Sequence, residues 1–290
     1  GWYIGDPGTG TKITSSTETL ITEDITLNAN WLAGATTPYK IEHYKENLEK
    51  NGYDLAETDN SIGITGNIVT ATPKNYVGFT HDAGITGTIA SGTISADGSL
   101  VLKLYYTRNV HNINVEEVPG AEITVDGEGK YEEEITVTVE PKPGYEFEEI
   151  IVKDEDGEEI PVGDTEEETF TMPDEDVTIT VVVKVVTYTI DYNLNGGSVS
   201  TPNPSNYTVE TESITLNNPV KEGYTFTGWT GSNGTTPQTT VTITKGSTGN
   251  RTYTANWQIL SYTLTVNPNG GKWNNSTSTQ TFTQNYGTTK

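Results

Sequence analysis

The chain has 290 residues and no cysteine, so no disulfide staples it and no thiol serves as nucleophile or metal ligand. A secreted eukaryotic domain of this size often depends on disulfides; their absence fits a cytosolic protein or a bacterial surface protein. Basic residues are scarce. Sixteen Lys and Arg stand against 40 Asp and Glu, a formal net charge of -24. Clustered Lys and Arg are what bind phosphate backbones and anionic lipid surfaces, so neither nucleic acid nor direct membrane contact is expected of this segment. There is no apolar run near 18 residues, no signal peptide and no sorting tail. Apolar residues at i, i+3, i+4 and i+7, the mark of an amphipathic helix, are missing as well.

Only 32% of the residues are hydrophobic, yet there are 16 Tyr, 5 Trp and 30 Gly, and Thr recurs beside Val, Ile and Tyr throughout. That profile belongs to short strands with one buried face, joined by turns. In TYTIDYNLNGG, Tyr188, Ile190, Tyr192 and Leu194 alternate with polar residues before the Asn195-Gly196-Gly197 turn. SITL, NPVKEGYTFTGW, VTIT and TYTANW follow, ending at Trp257. A few large aromatics suffice for the core of so small a unit, because each buries roughly 150–250 Å².

The unit recurs. SYTLTVNPNGGKW repeats it at an offset of 74, placing Asn269-Gly270-Gly271 on Asn195-Gly196-Gly197, and Gly1 to Trp31 matches Gly228 to Trp257. A fixed period is the signature of a repeat array. Because the chain starts and stops inside apparent copies, it reads as a segment of a longer protein.

The pattern YTIDYNLNGG, GYTFTGWT, TYTANW resembles the internalin-type B-repeat, or Listeria-Bacteroides repeat, of bacterial surface proteins. The resemblance covers 187–257 as a complete copy, with 1–31 as the C-terminal part of one copy and 260–290 as the N-terminal part of another. Residues 109–186 resemble a divergent, acidic B-repeat. There Gly144-Tyr145-Glu146-Phe147 stands where Gly223-Tyr224-Thr225-Phe226 stands in the complete copy, and Met172-Pro173 precedes the last strand, but the Gly228-Trp229 pair is missing. Residues 38–108, from PYKIEHYKENLEK to LVLKLYYTRN, resemble the mucin-binding-protein type of repeat. The resemblances imply a mainly β chain, a tandem array of small β-grasp-like (ubiquitin-like) modules with about one short helix in each. They also imply extracellular display at the wall or surface of a Gram-positive bacterium, and no catalytic residues, cofactor or metal to carry over.

The residues themselves agree that no catalytic set is present. His43, His81 and His111 fall in different modules or on strands and loops expected at the surface, and catalysis needs convergent groups in a concave pocket. Asp154, Asp156 and Glu158 invite a calcium reading, but the Gly required at the sixth position of an EF-hand loop falls on Glu159, so a hairpin turn with solvated acidic flanks is the alternative. Of the 40 acidic residues, 24 lie between Glu116 and Asp176, a concentration suited to keeping strand edges apart. Trp2, Trp31, Trp229 and Trp257 could stack sugars, but their regular place in each copy points to core or inter-strand packing, as it does for Gly196, Gly197, Gly223, Gly228, Gly270 and Gly271. Two functions remain open: a stalk that projects distal adhesive domains, or an adhesin whose 38–108 module binds host mucin, a glycan or a surface protein. A compact module of this size adds roughly 30 Å of reach.

Overall fold

The computed structural model describes residues 1–18, 22–33, 36–49 and 52–289. Among them are strands and turns but no helix, so the short helix expected in each module is not found there. Its place is taken by a small second sheet. In that layer EITVTVEP alternates β-branched and polar residues with a period of two, which favours a pleated strand. The LAGATTP linker includes residues 34 and 35, outside the described residues.

Residues 38–108, 109–186 and 187–257 share one topology despite their different sequences. In the first, Tyr53–Gly63, Thr37–Glu46, Val101–Arg108 and Phe79–His81 lie side by side in that order. In the second the order is Glu128–Lys130, Val110–Val115, Val177–Val185, Tyr145–Lys153 and Glu159–Ile160; in the third it is Asn206–Tyr207, Tyr188–Asn193, Arg251–Ile259, Tyr224–Gly231 and Gly234–Gln238. The first strand of each module always runs parallel to its last strand, with Lys40 opposite Val101, Ile113 opposite Val177 and Ile190 opposite Arg251. Parallel neighbours cannot be joined by a hairpin. The chain between them supplies the remaining strands and the second layer.

That second layer is the antiparallel pair Ile68–Thr70 and Ser91–Thr93, the three strands Ala121–Thr124, Glu134–Pro141 and Glu167–Thr171, or the pair Ile214–Thr215 and Thr242–Ile243. Each module closes its core between the two layers. Ile135, Val137 and Val139 meet Val177, Ile179 and Val181 in one module. Leu216, Val241 and Ile243 meet Trp229, Tyr253 and Ala255 in the next. In 38–108, Leu102, Leu104 and Tyr106 are fully buried, as their alternation with Val101, Lys103 and Tyr105 requires. Asp97-Gly98 forms a turn with Gly98 at φ 73°, but not a hairpin. The strands it joins, Ser91–Thr93 and Val101–Arg108, belong to different sheets.

The partial copies keep the corresponding fragments of this topology. Thr11–Ile13, Trp2–Ile4 and Leu27–Ala29 form one small sheet, and Ser261–Val266 pairs with Gln280–Asn285. No second layer covers the first of these sheets among the described residues. Trp2 and Trp31 are accordingly 51% and 85% exposed, so neither is enclosed in a core, although Trp2 stands between Ile13 and Ala29 of the neighbouring strands.

Candidate functional site

The repeat signature in 187–257 is a set of interlocking contacts. Asn195 and Gly196 turn the chain through positive φ (49° and 80°), and Gly197 presents a face with no side chain to the Trp257 ring, which a Cβ would displace. The Trp257 indole donates to Leu194 O at 3.1 Å, and the Asn195 amide donates to Ala255 O at 2.8 Å. The NGG turn and the ANW strand are thus two sides of one latch. Phe226 sits edge-on to both Trp229 and Trp257, at 5.5 Å from each. Trp229 is fully buried and its indole donates to Asn218 Oδ1 at 3.1 Å. Gly228, at φ 138°, lets the Gln238 backbone approach beside a bulge. Burial pushes the nearby Tyr192 hydroxyl up to about 12.

The divergent module carries the same bulge. It falls between Phe147 and Glu149, as the other falls between Phe226 and Gly228, so Ile150, buried to 2% exposure, stands in the place of Trp229. Met172 is fully buried in the same core, with Pro173 half-buried beside it. In 260–290, Asn269 and Gly270 have the left-handed φ values of the complete copy (42° and 90°), but the space beside Gly270 is open, and Gly271 approaches only Pro268 O.

Asp154 folds back on its own turn. Its carboxylate accepts the Glu158 amide at 2.8 Å and its carbonyl accepts that of Gly157 at 3.1 Å, closing the hairpin between Tyr145–Lys153 and Glu159–Ile160. Among the described residues no three carboxylates or imidazoles, including Asp154, Asp156 and Glu158, converge as a metal site. Burial, then the charges of Asp154, Asp156 and Glu155, raises the Glu175 carboxyl above its ordinary value.

His43 is not at the surface. It is fully buried, with Nδ1 2.8 Å from the Tyr106 hydroxyl and Nε2 3.3 Å from Asp59. A carboxylate only accepts, so Nε2 carries a proton; in the neutral ring Nδ1 then accepts from Tyr106. The same hydroxyl accepts the Lys74 amide at 3.0 Å, and the Lys74 ammonium reaches Asp59 at 2.7 Å. This group ties the buried His43 and Tyr106 to Asp59 and Lys74, which are partly exposed.

The outer face of the same sheet carries Tyr44 and Tyr105, stacked with centroids 5.0 Å apart, and Tyr53 edge-on to Tyr105 at 5.1 Å. All three are half-buried. The Tyr44 hydroxyl donates to Glu42 at 2.6 Å, and Lys103 Nζ lies 5.5 Å from the Tyr44 ring centre. Aromatic surface flanked by a carboxylate and an ammonium is the kind of face on which a sugar ring can stack.

Between modules the chain hardly pauses. Asn109 alone separates Val101–Arg108 from Val110–Val115, two residues separate Val177–Val185 from Tyr188–Asn193, and Leu260 alone separates Arg251–Ile259 from Ser261–Val266. At the first joint, Arg108 donates to Tyr131 O (2.7 Å), Glu132 (2.8 Å) and Glu46 O (3.1 Å), while Lys130 pairs with Glu46. Asp174 accepts the Gly78 amide (2.8 Å), the Asn109 side chain (2.7 Å) and His111 Nε2 (3.0 Å). Burial alone would raise the Asp174 carboxyl, but these three donors outweigh it and hold it below the usual carboxylate range. An open cleft of about 810 Å³ lies beside this joint, lined by Lys45, Glu46, Asp54, Phe79, Arg108 and Tyr131 among others. Apart from His111, nothing in the sequence points to these residues, since nothing local marks a contact between positions tens of residues apart.

Residues 188–256 match the Listeria-Bacteroides repeat domain (List_Bact_rpt), and residues 111–185 match the Divergent InlB B-repeat domain. No curated protein matches the chain. The two matches make this a repeat protein. Repeats of this type occur in surface-exposed bacterial proteins and are typically structural modules without enzymatic activity.

Proposed function

We propose that the segment is a non-catalytic stalk of a Gram-positive cell-surface protein, displayed outside the cell at the wall, which holds distal adhesive domains away from it. The observation that carries this reading is the parallel pairing of first and last strands in all three complete modules. Two parallel neighbours start at one end of the sheet and finish at the other, so the chain enters each module at one pole and leaves at the opposite pole. With connections of one or two residues, the modules then succeed one another lengthwise instead of folding back. The acidic surface keeps neighbouring copies apart in a crowded wall.

Small-angle scattering of the full chain tests the reading. A globule of 290 residues has a radius of gyration near 19 Å; three modules in file, each about 30 Å long, require a value well above it. A radius close to that of the globule would refute the stalk.

A second reading is favoured by the stacked Tyr44 and Tyr105 with Tyr53 at their edge. On that reading the 38–108 module is itself adhesive and takes a host mucin glycan or a surface protein on this face. Saturable binding of mucin by the full chain, lost in Tyr105→Ala, is its expected result. Equal binding by both proteins would remove the face from consideration.

A further inference from the structure

Three glycines on equivalent strands share an environment that the other turn glycines lack. Gly78, Gly144 and Gly223 each precede the aromatic residue that opens the strand beside the module's last strand. All three have positive φ (74°, 92° and 78°) and all three are buried. Each carbonyl accepts, at 2.9 Å, the amide of a residue in the connection to the next module: Asn109, Val186 and Leu260 in turn. Each also lies directly beneath a side chain of that next module. A Cβ on Gly78 would overlap the Tyr131 ring, one on Gly144 the Val209 side chain, and one on Gly223 the Tyr286 ring.

Positive φ alone does not produce this arrangement. Gly66, Gly157, Gly246 and Gly249 also have positive φ (83° to 86°), yet they are exposed and a Cβ at any of them would meet open space. Asparagine or aspartate is often accepted at a left-handed turn position. At the three buried positions the neighbouring module would reject any side chain at all.

The geometry points to a docking surface: we propose that the Gly-aromatic turn of each module is the seat of the module that follows, with the connection hydrogen-bonded across the joint and one apolar or aromatic side chain closing it. In two joints that side chain is the tyrosine that follows the antiparallel partner of the module's first strand, Tyr131 or Tyr286, whose amide donates to the connecting residue's carbonyl, Asn109 or Leu260, at 2.9 and 2.8 Å. In the middle joint Val209 fills the role. It is only 8% exposed, although it is not among the residues that form the core of its own module. A hydroxyl-carboxylate bond crosses both of the later joints, from Tyr145 to Glu210 at 3.1 Å and from Tyr286 to Glu222 at 2.6 Å. The inference rests on the stalk reading and deepens it, because the array becomes a rod of fixed joints instead of modules on loose tethers.

The absence of cysteine allows a direct test in the full chain. Spin labels on Asp126→Cys and Thr236→Cys, both exposed sites, report the distance across the middle joint by double electron-electron resonance. The seat requires one narrow distance. Val209→Ala and Gly144→Ala should each replace it with a broad distribution, while hydrogen exchange shows both modules still folded in the Val209 variant. Gly157→Ala adds comparable backbone strain in the same module without touching the joint, and should leave the narrow distance intact. A broad distribution in the parent chain, or a narrow one that survives Val209→Ala, would overturn the proposal. Either result would still permit a flexible spacer, so the seat can fail while the stalk stands.

Discussion

Replacing Trp229 by alanine is expected to unfold the 187–257 module and leave the 109–186 core protected. Trp229 is fully buried, touches Phe226, Tyr192 and Tyr253 with its ring, and donates its indole proton to Asn218. Truncating a buried Trp to Ala costs about 3–5 kcal/mol. A module of this size holds roughly 4–10 kcal/mol in all, at 0.05–0.15 kcal/mol per residue. The loss therefore takes much or all of the margin. Hydrogen exchange resolved by segment is the measurement. Amides of Arg251–Ile259 and Tyr224–Gly231 should lose protection, and those of Val177–Val185 should keep it. Trp229→Phe, which keeps an aromatic ring but leaves the Asn218 carbonyl oxygen without its donor, should fall between the two. Unchanged protection of Arg251–Ile259 in the alanine variant would mean that this core is held by something other than its tryptophan.

The second large effect is expected at Tyr106. The side chain is fully buried and packs edge-on to Tyr76 at 4.9 Å and against His43 and His81 at 5.8 and 5.5 Å. Its hydroxyl accepts from the Lys74 amide and satisfies His43 Nδ1. Tyr106→Ala removes the centre of this cluster, at about 3–5 kcal/mol. Tyr106→Phe keeps the ring but strands a partly buried backbone donor and a buried imidazole nitrogen, at about 1–3 kcal/mol. Urea unfolding of the full chain, followed by exchange protection within Val101–Arg108, separates the two. A phenylalanine variant as stable as the parent would show that water, not Tyr106, satisfies His43.

Much of the fold was written in local alternation. Residues two apart in VLKLYY, ITVTV and VTITVVV share a face, and the faces so assigned are the buried ones. The second layers were less legible, because strands such as Ile214–Thr215 and Thr242–Ile243 are two residues long, too short to show a period. His43 looked like a strand residue at the surface because its partners, Asp59 and Tyr106, lie 16 and 63 residues away. The common topology of the modules was hidden for a similar reason. Gly78-Phe79 in YVGF does the work of Gly144-Tyr145 and Gly223-Tyr224, but without the flanking residues that make those two recognisable. Contacts across the joints left no local trace at all. They depend on the register between separately folded units.

The pairing of first and last strands has a mechanical consequence. If the chain is pulled from its two ends, the first strand of a module is drawn towards one pole and its parallel neighbour towards the other. The backbone hydrogen bonds between them are then loaded in shear, all at once, instead of being peeled open singly from a hairpin end. Resistance should scale with the length of that parallel ladder. It runs from Lys40 and Val101 to Lys45 and Tyr106 in one module, and from Ile190 and Arg251 to Asn193 and Thr254 in another. In the acidic module it spans only Ile113 and Val177 to Val115 and Ile179. Under tension the acidic module is the one placed to yield first, a fuse between two stiffer links.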